Sequence, residues 1–257
     1  MEPVRSPRNQ RVAAAARLRR ARTRRAANST LLEGPNLIGA AAAAGAEIGP
    51  VFALQDDRGT MRVAEEAGYE VVVVTQVVLD RLAPTQHPRG PVAVMRVPAS
   101  VEIHNRNASV LWGVRDPGNV GTLIRAAAAF GFGIVIGPDS ADPWNPKVLR
   151  AAAGAHFLVP IETDVSDLRR LQARGFHTVG SVVEGGVAPS DVRGDGPWAL
   201  VVGDEARGLP EELAESCETQ VTIPMSAGLE SLNAAVAGSI LMYELAKRSG
   251  RPIAPPD

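Results

Sequence analysis

Short apolar runs alternate with helical segments through the second half of this chain, and this alternation constrains the fold more than any other feature. The apolar runs, which have the length and composition of buried strands, are residues 109–114, 134–137, 177–182 and 199–202. The helical segments are residues 122–130, 146–153, 166–174, 210–215 and 231–248. Strands that alternate with helices form a mostly parallel sheet with helices on its faces. The sequence therefore predicts an α/β domain over residues 108–250.

A smaller α/β domain is predicted over residues 1–97. Its predicted helices and strands are residues 10–25, 36–44, 51–54, 61–67 and 71–75. The same alternation predicts a parallel sheet in this part of the chain. Residues 98–107 are polar and lack periodicity, so we interpret them as a linker, and residues 251–257 as a tail.

Charge is distributed unevenly along the chain. Residues 1–25 carry nine arginines against the single acid Glu2, a formal charge of +8, which leaves −9 for the rest. A basic segment on a mildly acidic body is typical of a protein with a polyanionic partner. A solvated helix that only keeps the protein soluble explains the same charges. On the first interpretation Arg17, Arg20 and Arg24 are candidate RNA contacts.

Several classes of protein are excluded by composition. The one cysteine, Cys217, excludes an internal disulfide and a multi-cysteine metal site, and the four histidines lack metal-ligand spacing. No apolar segment reaches the roughly 18 residues that a membrane span needs, and no signal-type apolar core follows the arginines. We expect a soluble, cytoplasmic protein with no membrane or metal partner. An Arg-rich presequence of mitochondrial type over residues 11–22 is the alternative.

The first of three glycine-containing segments is residues 114–132, VRDPGNVGTLIRAAAAFGF. A buried strand is predicted to end at Arg115, Pro117 and Gly118 predict a turn, and Asn119 is predicted to cap the next helix. Arg125 follows in the first turns of that helix. A dinucleotide-binding fingerprint is excluded because Asp116 stands where it requires glycine. An ordinary strand, turn and helix with a surface arginine is the alternative to a functional segment.

The second segment is residues 200–213, LVVGDEARGLPEEL, where another buried strand leads into an acidic loop. Gly203 and Gly208 permit backbone angles and a close ligand approach that a side chain would prevent. Glu205 and Arg207 are either functional or form a plain surface ion pair.

The third segment is residues 221–245, VTIPMSAGLESLNAAVAGSILMYEL. A strand is predicted to end at Ile223, residues 224–228 form a loop, and Glu230, Ser231 and Asn233 precede the last helix. Ser231 is either a simple N-cap or part of a site. Because ligands bind where strands end in open α/β sheets, these three segments are the candidate site.

In order and spacing the three segments resemble the motifs of the SpoU or TrmH group of the SPOUT methyltransferase superfamily, over residues 109–248. In front of them, residues 29–45 and 85–95 resemble the small RNA-binding domain, of ribosomal-protein-like fold, that many members carry. The resemblance implies a C-terminal α/β-knot, with a deep trefoil knot that holds S-adenosyl-L-methionine. It also implies a homodimer through the knotted domain, in which one subunit completes the active site of the other.

The resemblance further implies roles for individual residues. The residues that would contact the cofactor are Val202, Gly203, Ile223, Met225 and Leu232. Arg125 would act on the RNA hydroxyl. The residues that would support it are Asn119, Glu205, Ser231 and Asn233. Residues 142–157 resemble a stretch in which Lys147 and Arg150 bind RNA phosphate, although an amphipathic surface helix explains that stretch equally well.

These resemblances predict transfer of a methyl group to a ribose 2′-hydroxyl of structured RNA, rRNA rather than tRNA. A 2′-hydroxyl is a poor nucleophile at neutral pH and must lose its proton as it attacks, so a positioned charged group is required. Two alternatives stay open. One is a non-catalytic RNA-binding protein of the same fold that assists ribosome assembly, and the other is methylation of a base nitrogen.

Overall fold

A computed structural model describes residues 2–85, 88, 90–194, 196–226 and 230–248. The chain divides into two compact units. The first comprises the residues up to Ala99 together with Trp144–Phe157, and the second comprises Ser100–Pro143 and the described residues from Leu158 onward. The tail predicted at 251–257 lies outside the described residues, as do parts of the segments predicted as a loop at 224–228 and as a turn at 85–95.

The structure contains ten strands and ten α-helices in these residues. The strands are β1 Ser29–Glu33, β2 Ile48–Leu54, β3 Val71–Val74, β4 Val92–Arg96, β5 Ala108–Leu111, β6 Gly133–Ile136, β7 Ile161–Glu162, β8 His177–Ser181, β9 Trp198–Val202 and β10 Thr219–Val221. The helices are α1 Gln10–Arg17, α2 Ala21–Ala27, α3 Pro35–Ala43, α4 Arg58–Glu66, α5 Gln76–Leu82, α6 Pro117–Phe130, α7 Pro146–Ala152, α8 Arg169–Gln172, α9 Glu211–Ser216 and α10 Ala234–Arg248.

The sheet of the first unit is mixed, with the strand order β1-β4-β2-β3. Strand β4 is antiparallel to both β1 and β2, whereas β2 and β3 are parallel. The prediction of a parallel sheet here is wrong because the pattern did not reveal β1 and β4, the two strands that pair antiparallel. Strands β1, β2 and β3 still run in one direction, so their carboxyl ends lie at the same edge of the sheet.

The basic N-terminal segment is part of the folded first unit. Val12, Ala15 and Leu18 are buried in a cluster with Phe52 and Leu79. The single helix predicted over residues 10–25 is two helices, α1 and α2. Arg11 and Arg17, which belong to α1, are therefore carried by a helix that packs in the core of the first unit.

The second unit confirms the predicted parallel sheet. Six parallel strands have the order β10-β8-β9-β5-β6-β7, and β5, β6 and β9 are buried along their whole length. The segment predicted as a linker, 98–107, contains no helix or strand, and Val101 and Ile103 donate backbone hydrogen bonds to the Ile161 carbonyl and the Glu162 carboxylate. None of the described helices is long and apolar enough to cross a membrane.

Helix α10 packs closely on α6 and on β9, and α6 packs on β5 and β6. A Cβ on Gly238 of α10 would lie 2.5 Å from Leu123 Cδ2 and 3.2 Å from a Val202 methyl group. Glycine at this position therefore brings the last helix against α6. As a result, the first and third segments of the candidate site lie side by side.

Candidate active site

A cavity of about 400 Å³ lies beside the carboxyl ends of β8, β9 and β10 in the second unit. Carboxyl ends of neighbouring parallel strands are where open α/β sheets bind ligands. The described residues that line the cavity come from three places along the chain: Ser181, Val182, Val183, Val202, Gly203, Asp204, Glu205, Ala206, Arg207, Gly208, Leu209, Ile223, Met225, Glu230, Ser231, Leu232, Ala234 and Ala237. The second and third segments therefore form one site.

A tight turn follows β9 on one side of the cavity. Asp204 Oδ1 accepts hydrogen bonds from the backbone of Ala206 at 3.0 Å and Arg207 at 3.2 Å, and Asp204 pairs with Gly208. A Cβ on Gly203 would lie 2.4 Å from the carbonyl carbon of Gly208. Glycine is thus required at 203 for the turn to close, and the close ligand approach predicted for this residue stays a prediction.

Glu205 points a buried carboxylate oxygen into this region. Its Oε1 atom is buried and accepts no hydrogen bond from the residues that the structure describes. The alternative of a surface ion pair with Arg207 is not supported, since no such pair occurs in the described part of the chain. A buried acceptor without a donor is costly, so this oxygen is suited to a donor on a ligand.

The third segment supplies the other wall of the cavity. Ile223, Met225, Ser231 and Leu232 line it, and residues 227–229 lie outside the described residues. Strand β10 ends at Val221, so the loop begins two residues earlier than predicted. Ser231 is exposed and precedes α10, whose first turn is capped by another residue.

The helix caps differ from those that the sequence predicts. Asp116 caps α6, because its Oδ1 accepts from the backbone N–H of Asn119 at 2.9 Å, and Asn119 lies inside the helix. Asn233 caps α10, because its Oδ1 accepts from the N–H groups of Ala235 at 3.0 Å and Val236 at 3.2 Å. Neither Asn119 nor Ser231 caps its helix, so both side chains are available for other contacts.

The first and third segments are joined by a direct hydrogen bond. Asn233 Nδ2 donates to Asn119 Oδ1 at 3.1 Å, across the start of α6 and α10. Arg125 lies two turns further along α6 and is exposed. Asn119, Arg125 and Asn233 do not belong to the lining of the cavity. The predicted site residues therefore form two groups in the structure. One group lines the cavity, and the other, which is Asn119, Arg125 and Asn233, lies on the paired helices α6 and α10 outside it.

Three cavity residues, Ser181, Val182 and Val183, were not predicted as site residues. Ser181 is the last residue of β8, and Val182 and Val183 follow it; β8 lies between β10 and β9 in the sheet. Strand ends are sequence signals of possible sites, but the order of strands decides which ends meet, and the sequence does not show this order.

The candidate RNA contacts of the first unit are not equivalent. Arg17 and Arg20 are exposed, whereas Arg24 is only 4% exposed and its Nη1 donates to the carbonyls of Leu18 and Arg19 at 3.3 Å each. The prediction that Arg24 contacts RNA is wrong, because its guanidinium is used inside the protein.

Helix α7 also belongs to the first unit, where it packs on β1. One face of α7 is buried through Val148 and Leu149, which is the amphipathic arrangement of the alternative interpretation. Lys147 is exposed, and Arg150 forms an ion pair with Glu33 at 4.0 Å. Lys147 is therefore the better placed of the two for an RNA phosphate.

The remaining reactive groups do not suggest another chemistry. In the described ranges, no group of three or more His, Cys, Asp or Glu residues is arranged to hold a metal ion. Burial, and secondarily the Glu218 carboxylate, raises the pKa of the Cys217 thiol to about 12. A thiol held in its protonated form is a poor nucleophile.

Two models of known protein families match this chain. Residues 107–243, more than half of the chain, match the SpoU rRNA Methylase family, and residues 9–93 match the MRM3-like substrate binding domain. The chain is thus a member of the SpoU rRNA methylase family, which confirms the resemblance seen in the three segments.

Individual relatives are similar over almost the whole chain. The 23S rRNA (guanosine(2553)-2′-O)-methyltransferase RlmP of Bacillus subtilis is 29% identical over 248 residues, which cover 95% of this chain and 99% of that protein. The AdoMet-bound rRNA methyltransferase from Sinorhizobium meliloti has a TM-score of 0.86 and 28% identity, covering 98% of this chain and 99% of that chain. The SpoU methyltransferase AviRb from Streptomyces viridochromogenes, in complex with AdoMet, has a TM-score of 0.83 and 25% identity, covering 94% and 98%.

Proposed function

We propose that this protein transfers a methyl group from S-adenosyl-L-methionine to a ribose 2′-hydroxyl of ribosomal RNA in the cytoplasm. The observation that carries the proposal is the cavity at the ends of β8, β9 and β10, in a chain of the SpoU rRNA methylase family. The similarity to RlmP, a 23S rRNA 2′-O-methyltransferase by name, favours the ribose and rRNA. The match of residues 9–93 to the MRM3-like substrate binding domain supports RNA binding by the first unit.

The residues of the cavity fit the cofactor. Val202, Ile223 and Leu232 give an apolar surface for an adenine ring, with Gly203 and Met225 beside it. The unpartnered Glu205 Oε1 atom offers an acceptor for a hydroxyl or ammonium group. When bound, S-adenosyl-L-methionine supplies an electrophilic methyl group on a positively charged sulfur.

Arg125 is the group that acts on the ribose. A guanidinium group is a hydrogen-bond donor and not an acceptor, so Arg125 orients the 2′-hydroxyl and stabilises the negative charge that develops on the oxygen, rather than acting as a base. The proton of the 2′-hydroxyl is released to solvent as the oxygen attacks. Asn119 and Asn233, joined by their hydrogen bond, keep the start of α6 fixed beside α10. Ser231 and Glu205 help to position the ribose, and proximity contributes much of the rate.

A homodimer explains why Arg125 lies outside the cavity of its own chain. Val236, Ile240 and Tyr243 are 48%, 38% and 44% exposed and are spaced on one face of α10, next to α6. Exposed apolar patches of this kind mark interaction surfaces. We place a second copy on this face, so that Arg125 of one copy reaches the cavity of its partner.

The dimer is tested by mixing two inactive proteins. A copy with Arg125→Ala and a copy with Gly203→Ala are each expected to be inactive, and a mixed dimer regains one complete site. Recovery of activity after co-expression supports the shared site. Monomers in light scattering, or no recovery in a verified mixed dimer, would contradict it.

The deep trefoil knot is proposed for the segment around β10. The residues after β8 lie against this strand, since Val187 donates to the Gln220 carbonyl at 2.9 Å and a Cβ on Gly186 would lie 2.7 Å from the carbonyl carbon of Val221. Pulling single molecules by both ends is the test. A knotted chain extends to less than its full contour length, and full extension would rule out the knot.

The reaction is tested by incubating the protein with labelled cofactor and unmodified rRNA, followed by mass spectrometry of the nucleosides. A 2′-O-methyl nucleoside is expected. A methylated base with unmodified ribose would replace this proposal by base-nitrogen methylation. No transfer and no cofactor binding by calorimetry would favour a non-catalytic RNA-binding protein.

A further inference from the structure

A second cleft, in the first unit, is separate from the candidate active site. It has a volume of about 620 Å³ and lies beside the ends of β2 and β3, which finish at Leu54 and Val74. Leu54 and Pro3 provide apolar surface, Gln55 and Thr75 provide polar groups, and Asp56 adds a carboxylate, whereas Val74 is buried beneath them. The cleft thus occupies the edge of the sheet at which the parallel strands end, the usual place for a ligand in an α/β sheet.

The basic N-terminal segment leads directly to this cleft. Val4 pairs in parallel with Val74, through hydrogen bonds from the Val4 N–H to the Val73 carbonyl at 2.8 Å and from the Thr75 N–H to the Val4 carbonyl at 3.2 Å. Because the pairing is parallel, the chain after Val4 continues toward the edge where Thr75 lies. The exposed Arg5 is the next residue; it does not line the cleft, so this pairing holds a cation beside it.

A second cation comes from the loop after β2. Arg58 lines the cleft, is exposed and is the first residue of α4. The two arginines therefore approach the cleft from different segments of the chain. One cation in the cleft and one beside it suit a ligand with more than one phosphate, such as an RNA strand.

The side-chain amides of Gln55 and Gln76 at the cleft differ in their hydrogen bonding. Gln76 Nε2 donates to Asp80 Oδ1 at 2.7 Å and to the Pro88 carbonyl at 3.2 Å, so this side chain holds the local structure. Gln55 is exposed, and no side-chain hydrogen bond engages it within the described part of the chain. An amide can pair with the edge of a nucleobase through a donor and an acceptor together.

We propose that this cleft binds an unstacked nucleotide of the RNA substrate, with the base against Leu54 and Pro3 and its edge at Gln55. Arg5 and Arg58 bind the neighbouring phosphates. Proteins that recognise RNA sequence usually read unstacked bases in single-stranded segments. This inference rests on the proposed function, since it takes the substrate to be RNA.

The test measures binding of a fluorescein-labelled, single-stranded 12-nucleotide RNA of mixed sequence to the whole protein, by fluorescence anisotropy. Gln55→Ala and Arg58→Ala are each expected to raise the Kd about tenfold. Arg62→Ala is the matched control, because Arg62 lies one turn along the same helix, is 76% exposed and is absent from the cleft lining. Its Kd is expected to stay within about twofold. Arg5→Ala should reduce the slope of log Kd against log salt by about one.

Two further measurements make the result specific. Thermal unfolding of each variant should match that of the wild type, and a duplex of the same sequence should bind all variants equally. Unchanged single-strand binding by the Gln55 and Arg58 variants, an equal loss in Arg62→Ala, or no single-strand binding by the wild type would overturn the proposal.

The binding result is independent of methyl transfer. If wild-type protein forms 2′-O-methyl nucleosides but the cleft variants bind RNA normally, only the cleft proposal fails. If the cleft variants lose RNA binding but no 2′-O-methyl nucleoside is ever formed, the cleft proposal stands and the proposed reaction fails.

Discussion

Two glycines allow the candidate active site to form, because a side chain at either position would clash with neighbouring atoms. Gly203 lets the turn after β9 close on Gly208, and Gly238 lets α10 approach Leu123 of α6. Gly203 was predicted from its segment as a place of close approach. Gly238 was not, because its neighbours are on a helix more than a hundred residues earlier in the chain.

Gly203→Ala should abolish cofactor binding. The new Cβ would lie 2.4 Å from backbone carbon, so the turn must open and the cavity must change shape. Calorimetry should show cofactor affinity reduced at least about 100-fold, since several contacts are lost together. Gly39→Ala in α3 is the control, because nothing lies within 4 Å of its Cβ position, and it should leave binding unchanged. Normal affinity in Gly203→Ala would contradict the proposed cradle.

Arg125→Ala should reduce methyl transfer by roughly 100- to 1000-fold, the usual effect of losing a group that stabilises developing negative charge. Because Arg125 does not line the cavity, cofactor affinity should change by no more than a few fold. Single-turnover kinetics and calorimetry measure the two quantities separately. Arg115→Ala, at an exposed arginine before α6, is a control. Near-normal turnover in Arg125→Ala would remove Arg125 from the mechanism.

Cys217 should be unreactive in the folded protein. Its pKa is raised to about 12, so almost no thiolate is present at pH 8. Alkylation by iodoacetamide at pH 8 should be slow for the native protein and fast after denaturation. The pKa of this thiol is higher in the folded protein than in the unfolded chain. Its contribution to the stability of the fold is therefore fully present below the pKa of the unfolded chain and is lost as the pH rises toward 12. Rapid native alkylation would show that the thiol is accessible.

At the scale of elements, the starts of α6 and α10 decide which polar side chains can serve the site. The sequence places several good capping residues within a few positions of each other, and propensity alone does not select among them. The structure uses Asp116 and Asn233. Asn119 is thereby free to bond to Asn233, and Ser231 is left at the cavity.

Two variants distinguish a residue that caps a helix from a residue that serves methyl transfer. Asp116→Ala removes the α6 cap and should lower the free energy of unfolding by about 1 kcal/mol. Ser231→Ala removes no cap and should change it by less than about 0.5 kcal/mol, while methyl transfer falls. Denaturant unfolding and initial rates give both values. If Ser231→Ala destabilises the protein as much as Asp116→Ala and transfers methyl groups normally, Ser231 is a structural residue.

At the scale of the whole molecule, the sequence predicted the parallel sheet of the second unit because most of its buried strands are short apolar runs separated by helices. It did not predict the mixed sheet of the first unit, since β1 and β4 are far apart in sequence and their pairing depends on tertiary structure. The same limit applies to Arg24, whose charge suggested RNA although the fold buries it, and to Ser181, which reaches the cavity only through the order of strands.

The central claim is that this protein methylates a ribose of ribosomal RNA, and mapping of 2′-O-methyl sites in rRNA tests it most directly. The map should be compared between cells with the gene, cells without it, and cells without it that express Arg125→Ala. One 2′-O-methyl site should be absent from the last two and present in the first. Identical maps in all three, or loss of a base methylation instead, would contradict the claim.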